Sequence, residues 1–294
     1  MTIKNLVLSG GGPAGFSIYG AISNLSKENI WYLKDIEKIY GTSIGSFIAV
    51  VISLNYEWET LDDYFMKRPW NEVVNIDPGM FIDAYKSKGI LDESYVKECI
   101  KYLFTAKELN ENITLKELYD YNKINLYLYT TEINNDILEK IELSHYNYPD
   151  LPVVKALSMS MAFPFIFQPI CNNEKCFIDG GLLNNFPIND CIKNHKCNAN
   201  ETLSFKVNWI LEENTNCIIN ENSNIIDFLI ILLQRMKNKI DTIEEPIEIK
   251  NTVITNITYS NDFSIWSKAL NDEKFREELI NIGIEESNLF IKNL

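Results

Sequence analysis

The sequence predicts an α/β protein built on a mainly parallel sheet, and three observations carry that reading. An apolar strand pattern at Ile3–Leu8 runs into a glycine loop, Gly10–Gly15, and then into an apolar helix, Phe16–Leu25. The same order returns at once, with a strand at Ile36–Tyr40, a sharp turn at Gly41–Gly45 and an apolar helix at Ser46–Leu54. Strand–loop–helix units in succession are the signature of parallel pairing, because each helix carries the chain back across the sheet. The 294 residues, 46% of them hydrophobic, suffice for one large core.

The remaining elements follow in order. Glu57–Lys67 and Asp92–Phe104 have helical periodicity, the second opened by Asp92 as a cap. Asp77-Pro78-Gly79 and Lys88-Gly89 are turns. Thr114–Tyr121 reads as a helix, with Thr114 and Glu117 in capping-box spacing. Leu126–Ile133 and Ile137–Leu143 form a hairpin through Asn134-Asn135-Asp136. Val153–Met161 is helical and stops before Pro164. Strands are expected at Cys176–Ile178, Leu203–Trp209 and Thr252–Tyr259, and helices at Ile225–Lys239 and Asp272–Ile282. With no repeat and no low-complexity linker, residues 1–294 read as a single domain, and 55–120 as a helical appendage.

Charge and cysteine content narrow the function. A net charge of −14 and a pI near 4.7 exclude a phosphate-backbone partner, so no nucleic acid is expected. An anionic bilayer would also repel this surface, and contact with lipid would need an apolar face or a local basic patch. The N-terminal apolar run is too short for a signal peptide, and the longest later run, Ile225–Leu233, is half a membrane span and holds Asp227. A cytoplasmic protein follows, with at most peripheral membrane contact. Its six cysteines (Cys99, Cys171, Cys176, Cys191, Cys197, Cys217) are then expected as reduced thiols. Cys191, His195 and Cys197 are close enough to suggest a metal, but without paired C-x-x-C spacing a loop with scattered thiols is the better reading. The sequon at Asn112 is a product of abundant asparagine.

Three segments can carry chemistry. In Ser9-Gly10-Gly11-Gly12-Pro13-Ala14-Gly15, glycines aim backbone N–H groups one way, and the next helix adds its positive end. Such a loop holds a phosphate or a developing oxyanion. Gly10, Gly12 and Gly15 also spell G-x-G-x-x-G, with Asp35 placed like a ribose-binding acid, so this segment alone fits an FAD- or NAD-type dinucleotide site, a hydrolase or a ligand-free turn. Gly41-Thr42-Ser43-Ile44-Gly45 is G-x-S-x-G between strand and helix, the context in which a strained turn lifts a serine Oγ clear of a sheet; the alternative is a structural Gly-Ser turn. In Phe177-Ile178-Asp179-Gly180-Gly181, followed by Asn184-Asn185-Phe186-Pro187, an acid ends a strand, though an Asx turn would look the same.

The combination decides between them. A serine nucleophile needs a base, and the two histidines, His145 and His195, lie in no strand-end or glycine context and read as surface or loop residues. Asp179 is placed to act as that base directly.

In this order the three segments resemble the patatin-like phospholipase family, with its Gly-Gly-Gly-x-x-Gly loop, G-x-S-x-G elbow and Asp-Gly-Gly or Asp-Gly-Ala block. Ala156–Pro164, continuing to Phe167 and Pro169, is similar to a fourth family block. The resemblance implies an α/β/α sandwich, no cofactor or metal, and hydrolysis of phospholipid or neutral-lipid esters at a membrane or droplet surface. It implies Ser43 as nucleophile, Asp179 as base, and an oxyanion hole from Gly10, Gly11, Gly12 and Ile44, with Gly15, Gly41, Gly45, Gly180 and Gly181 supporting the loop and elbow. Two departures stand out: Ala14 where many members carry Arg or Lys, and Ser9 where many carry Asp. A lipid-binding protein that kept the scaffold without catalysis is the reading Ala14 motivates. Phe163, Phe165, Ile166 and Phe167, with Trp70, Met80 and Phe81, are candidates for an apolar entrance or for ordinary core.

Overall fold

A computed structural model describes residues 2–74, 78–172, 174–211, 219, 221, 225–241, 245–259 and 264–294. In chain order its elements are β1 (Asn5–Leu8), α1 (Gly15–Lys27), β2 (Lys38–Thr42), α2 (Ile44–Ser53), α3 (Trp58–Lys67), α4 (Trp70–Val73), α5 (Pro78–Ser87), β3 (Gly89–Leu91), α6 (Glu93–Ala106) and α7 (Leu115–Asn122). There follow β4 (Asn125–Glu132), β5 (Glu139–Leu143), α8 (Val153–Ser160), β6 (Phe165–Phe167), β7 (Ile170–Cys171), β8 (Cys176–Asp179), β9 (Thr202–Leu211), α9 (Ile225–Asp241), β10 (Thr252–Tyr259), α10 (Ser264–Asn271) and α11 (Glu273–Lys292).

The main sheet has the order β10-β9-β1-β2-β4-β8-β7, with β5 on the other edge of β4. Pairing is parallel from β10 to β4 and antiparallel beyond it, so the expected mainly parallel sheet, flanked by helices, is present. Alternation along the strands divides the core. Leu6, Leu8, Ile39, Leu126, Leu128 and Phe205 face the large cluster that holds α1, α2 and α8. Val7, Tyr40, Tyr127 and Tyr129 face a smaller cluster on the reverse side, closed by Ile188 and Cys191. β3 and β6 form a separate two-stranded sheet.

Several expectations need correction. The last helix runs on to Lys292 rather than stopping at Ile282 before Gly283. Gly283 is a contact point, not a stop: a Cβ there would lie 1.9 Å from the Ser17 carbonyl, and one on Gly20 2.1 Å from that of Ile280, so the two glycines let α1 and α11 touch backbone to backbone. α4, α5, β3, β6, β7 and α10 were not foreseen; the short strands lack a run long enough to show period-two alternation. The thiols are not all reduced, because the β7–β8 register sets Cys171 opposite Cys176 and they form a disulfide; Cys217 lies outside the described residues. The histidines lie in loops, as expected, but neither is exposed at the surface. His145 is buried and stacked between Tyr119 and Tyr146, and half-buried His195 bonds Tyr40 Oη and lies 3.2 Å from Glu142. Among the described residues, no group of three or more His, Cys, Asp or Glu side chains is arranged for a metal, and no helix is long and apolar enough to cross a membrane.

Candidate active site

Strand register brings the predicted site together. β2 pairs along β4 as far as Thr42 opposite Tyr129. β8 takes over the same edge of β4 one residue later, with Asp179 opposite Thr130, since β5 occupies the other edge. The serine that follows β2 and the aspartate that ends β8 therefore emerge side by side. The Ser43 hydroxyl donates to Asp179 Oδ2 at 2.6 Å.

Ser43 holds this position in a strained backbone, φ 55° and ψ −125°, a conformation that costs a non-glycine residue about 1–3 kcal/mol. Close packing over-determines it. A Cβ on Gly41 would lie 2.7 Å from the Gly45 carbonyl, and one on Gly45 2.5 Å from that of Leu8, so only glycines allow α2 to start this near β1. Helix α2 starts at Ile44, two residues before the expected Ser46, and its positive end points back at Ser43. Ser160, at the end of α8, completes the turn. Its Oγ accepts from the Ser43 N–H at 3.0 Å, donates to the Tyr129 carbonyl at 2.6 Å and meets Ser46 Oγ at 2.8 Å.

Asp179 is 2% exposed, and its second oxygen, Oδ1, accepts from the Gly181 N–H at 2.6 Å. That bond fixes the carboxylate plane, while the Thr131 hydroxyl donates to the Asp179 carbonyl. Gly180 packs directly on the Tyr129 carbonyl.

The glycine loop stands beside this pair. Gly11 and Gly12 open a short helical turn, where N–H groups have no acceptor three residues back. Gly12 has φ +50°, which favours glycine, and Trp266 of α10 packs against it. The Ile44 N–H opens α2 in the same way. Gly10 was expected among the oxyanion donors, but its N–H is spent on the Asn185 carbonyl at 2.9 Å. Asn185 in effect clamps the loop, its Nδ2 donating back to the Gly10 carbonyl, and Thr42 Oγ1 donates to the carbonyl of Asn184. Gly15 packs against Ile44. Ser9 is buried and ties the loop to β9 by accepting from the Val207 N–H. Ala14 is wholly buried, so this loop turns an apolar side chain inward where many members carry a charge.

A cavity opens over Ser43, walled by Phe16, Ile44, Phe47, Met161, Phe167 and Trp266, with Phe65, Trp70, Val74 and Cys99 from the 55–120 region. Of the residues expected at an apolar entrance, Trp70 and Phe167 do line it. Ile166, Phe163 and Met80 pack instead into a satellite core with Ile90 and Leu91, and the Phe81 side chain lies outside the described residues. The dinucleotide alternative loses its second support. Asp35 precedes β2, at the end of the strands where Asn5 pairs with Lys38, and the glycine loop leaves the opposite end, where Leu8 pairs with Gly41.

The sequence pattern of the patatin-like phospholipase family matches residues 6–192, from β1 through the Asp179 turn. This chain belongs to the patatin-like phospholipase family. Relatives named as lipid hydrolases agree. It is 28% identical over 212 residues to a probable lipid hydrolase, 463L, of Invertebrate iridescent virus 6, covering 72% of this chain and 70% of that one. It is 28% identical over 189 residues to lysophospholipase NTE1 of Candida albicans, covering 64% of this chain but only 12% of the yeast protein. Two solved structures share the patatin-like fold: VipD from Legionella pneumophila (TM-score 0.52, 17% identity, 96% of this chain and 67% of that one) and the type III effector ExoU (0.53, 12%, 100% and 53%).

Ser160, Asn185 and Trp266 are the site residues that sequence reasoning did not single out. Asn185 was within reach, as it lies in the quoted block after Asp179. Ser160 was also within reach, as it lies in the quoted Ala156–Pro164 block, while Trp266 carries no local signal because its partners are distant in sequence.

Proposed function

We propose that this chain is a lipid acyl hydrolase of the phospholipase A type, working through an acyl-enzyme on Ser43 with Asp179 as the base. The observation that carries the reading is the 2.6 Å hydrogen bond between Ser43 Oγ and a buried aspartate, beside the amides of Gly11, Gly12 and Ile44. Ser43 Oγ attacks the ester carbonyl as its proton passes to Asp179. The oxyanion then draws on those amides, each worth about 3 kcal/mol of barrier. Collapse breaks the ester C–O bond, and the leaving alcohol takes the proton from Asp179. Water, deprotonated by Asp179, next attacks the acyl carbon, and the free acid leaves as Ser43 regains its proton.

The apolar cavity fits an acyl chain, and residues 55–120 act as a cap on it within one catalytic unit spanning 1–294. The substrate is reached at a membrane or droplet surface. The acidic chain calls for an apolar contact, and α9 offers one: Ile225, Phe228, Leu232 and Met236 are exposed along one face, on a helix that packs against the turn following Asp179.

The test is hydrolysis of a mixed panel of phospholipids and neutral lipids, with product masses recorded. Wild type should release free fatty acids and Ser43→Ala none. Equal release by both proteins would overturn the proposal.

A further inference from the structure

On the reverse face of the sheet, away from the cavity, a second reactive cluster surrounds two cysteines. Cys191 lies in the turn Asp190–Asn194, wholly buried among Val7, Tyr40 and Tyr127. The chain then doubles back through Lys196, at φ 53°, and the Cys197 N–H donates to the Cys191 carbonyl at 3.0 Å. Both cysteines thereby pack against the same Tyr40–Tyr127 cluster. Lys38 and Tyr40, alternate residues of β2 and hence on one face, reach the same sulfur: Lys38 Nζ lies 3.5 Å and Tyr40 Oη 3.4 Å from Cys197 Sγ. Cys197 is half-buried with donors on its sulfur, and Cys191 is wholly buried beneath.

We propose that Cys197 and Cys191 form a hydroperoxide-reactive site separate from the hydrolase centre, with Cys197 the attacking thiol and Cys191 the resolving one. The Cys197 thiolate attacks one peroxide oxygen, and the O–O bond breaks. Cys197 becomes a sulfenic acid, and the departing hydroxide takes up a proton as water or, for an organic peroxide, the alkoxide leaves as alcohol. Cys191 then gives up its proton, its sulfur attacks the Cys197 sulfur, and the S–O bond breaks. The disulfide forms and a second water leaves, so that two electrons pass from the thiols to the peroxide.

The electrostatics favour this division of labour. The neighbouring Cys191 thiol, with the hydrogen bonds of Tyr40 and Lys38, outweighs burial and pulls the Cys197 thiol below its ordinary pKa. The same proximity, together with burial, pushes Cys191 up and keeps it protonated until the second step. Glu142 is held by His195, whose Nδ1 shares the Tyr40 hydroxyl, and Tyr127 stacks on Tyr40; these complete the ionisable surroundings.

The test treats the full chain with hydrogen peroxide, alone or with dimedone, and maps peptides by mass spectrometry. Wild type should give a Cys191–Cys197 cross-linked peptide, lighter by two hydrogens than the reduced pair. Cys191→Ser should instead trap a dimedone adduct on Cys197, and Cys197→Ser should give neither product. In parallel, iodoacetamide should alkylate Cys197 of the folded Cys191→Ser protein at neutral pH about tenfold faster than the urea-unfolded chain, and Lys38→Met should slow it. Oxidation that reaches other cysteines first, or a Cys197 no more reactive than in the unfolded chain, would overturn the proposal. Neither readout depends on ester hydrolysis.

Discussion

Ser160→Ala removes a hydroxyl that never touches substrate, yet it should damage both stability and turnover. The Ser160 side chain is wholly buried, so no solvent replaces what it gives up. Its loss strands the Ser43 N–H, bonded at 3.0 Å, and removes a donor from the Tyr129 carbonyl, bonded at 2.6 Å. With the bond to Ser46 Oγ at 2.8 Å, three buried hydrogen bonds are lost with partners left behind, at a cost of about 3–5 kcal/mol. For a chain of this size that lowers Tm by about 5–10 °C. The catalytic effect is of a different kind. Ser43 is held at φ 55° by its surroundings, and relaxation toward an ordinary conformation swings Oγ away from Asp179. A displacement near 1 Å costs about a hundredfold in rate. Calorimetry together with the rate of fluorophosphonate labelling reads both effects, and Ser160→Cys serves as the near-isosteric control. A lowered Tm with an unchanged labelling rate would refute the idea that Ser160 positions the nucleophile. No change in either would refute the hydrogen-bond reasoning altogether.

Other outcomes follow from the same geometry. Gly12→Ala places a side chain at φ +50°, costing about 1–2 kcal/mol, and against Trp266 Cζ2 at 2.6 Å; ester turnover should collapse and Trp266→Ala should restore part of it, whereas an unaffected rate would show that the loop does not need this conformation. Phe228→Glu with Leu232→Glu on α9 should lower hydrolysis of lipid vesicles about tenfold or more, the equivalent of 1.4 kcal/mol, and leave a water-soluble ester unaffected; equal effects on both substrates would remove α9 from the lipid contact. Burial, aided by nearby Lys116, lowers the pKa of His145, so that as pH falls through the ordinary imidazole value the unfolded chain takes up a proton the folded one refuses. The Tm of wild type should therefore fall more steeply between about pH 7 and 5.5 than that of His145→Phe, and parallel slopes would contradict this.

The parts of the site that were legible in the sequence are those with a local physical requirement. A strained serine turn needs small neighbours at Gly41 and Gly45, and an N–H-presenting loop needs Gly11 and Gly12, so each leaves a short readable pattern. The meeting of Ser43 with Asp179 was inferred from the lack of a suitably placed histidine, and the structure supplies its cause in the hand-over of β4's edge from β2 to β8. What stayed hidden is long-range. Ser160 sits in the quoted Ala156–Pro164 block, but its role shows only in its bond to a residue 117 positions away. Gly10 matched the donor pattern, but only the fold could reveal that Asn185 had claimed its N–H. The last helix was placed only as far as Ile282, and it runs on through Gly283, where α1 meets α11.

The most direct test of the account compares kcat/KM on one ester for Ser43→Ala, Asp179→Asn and the double variant, each confirmed as folded. If the two side chains act as a unit, each single change should cost about 10⁴-fold or more, and the double variant should be no worse than either. An Asp179→Asn enzyme within about tenfold of wild type, or losses that multiply in the double variant, would contradict it.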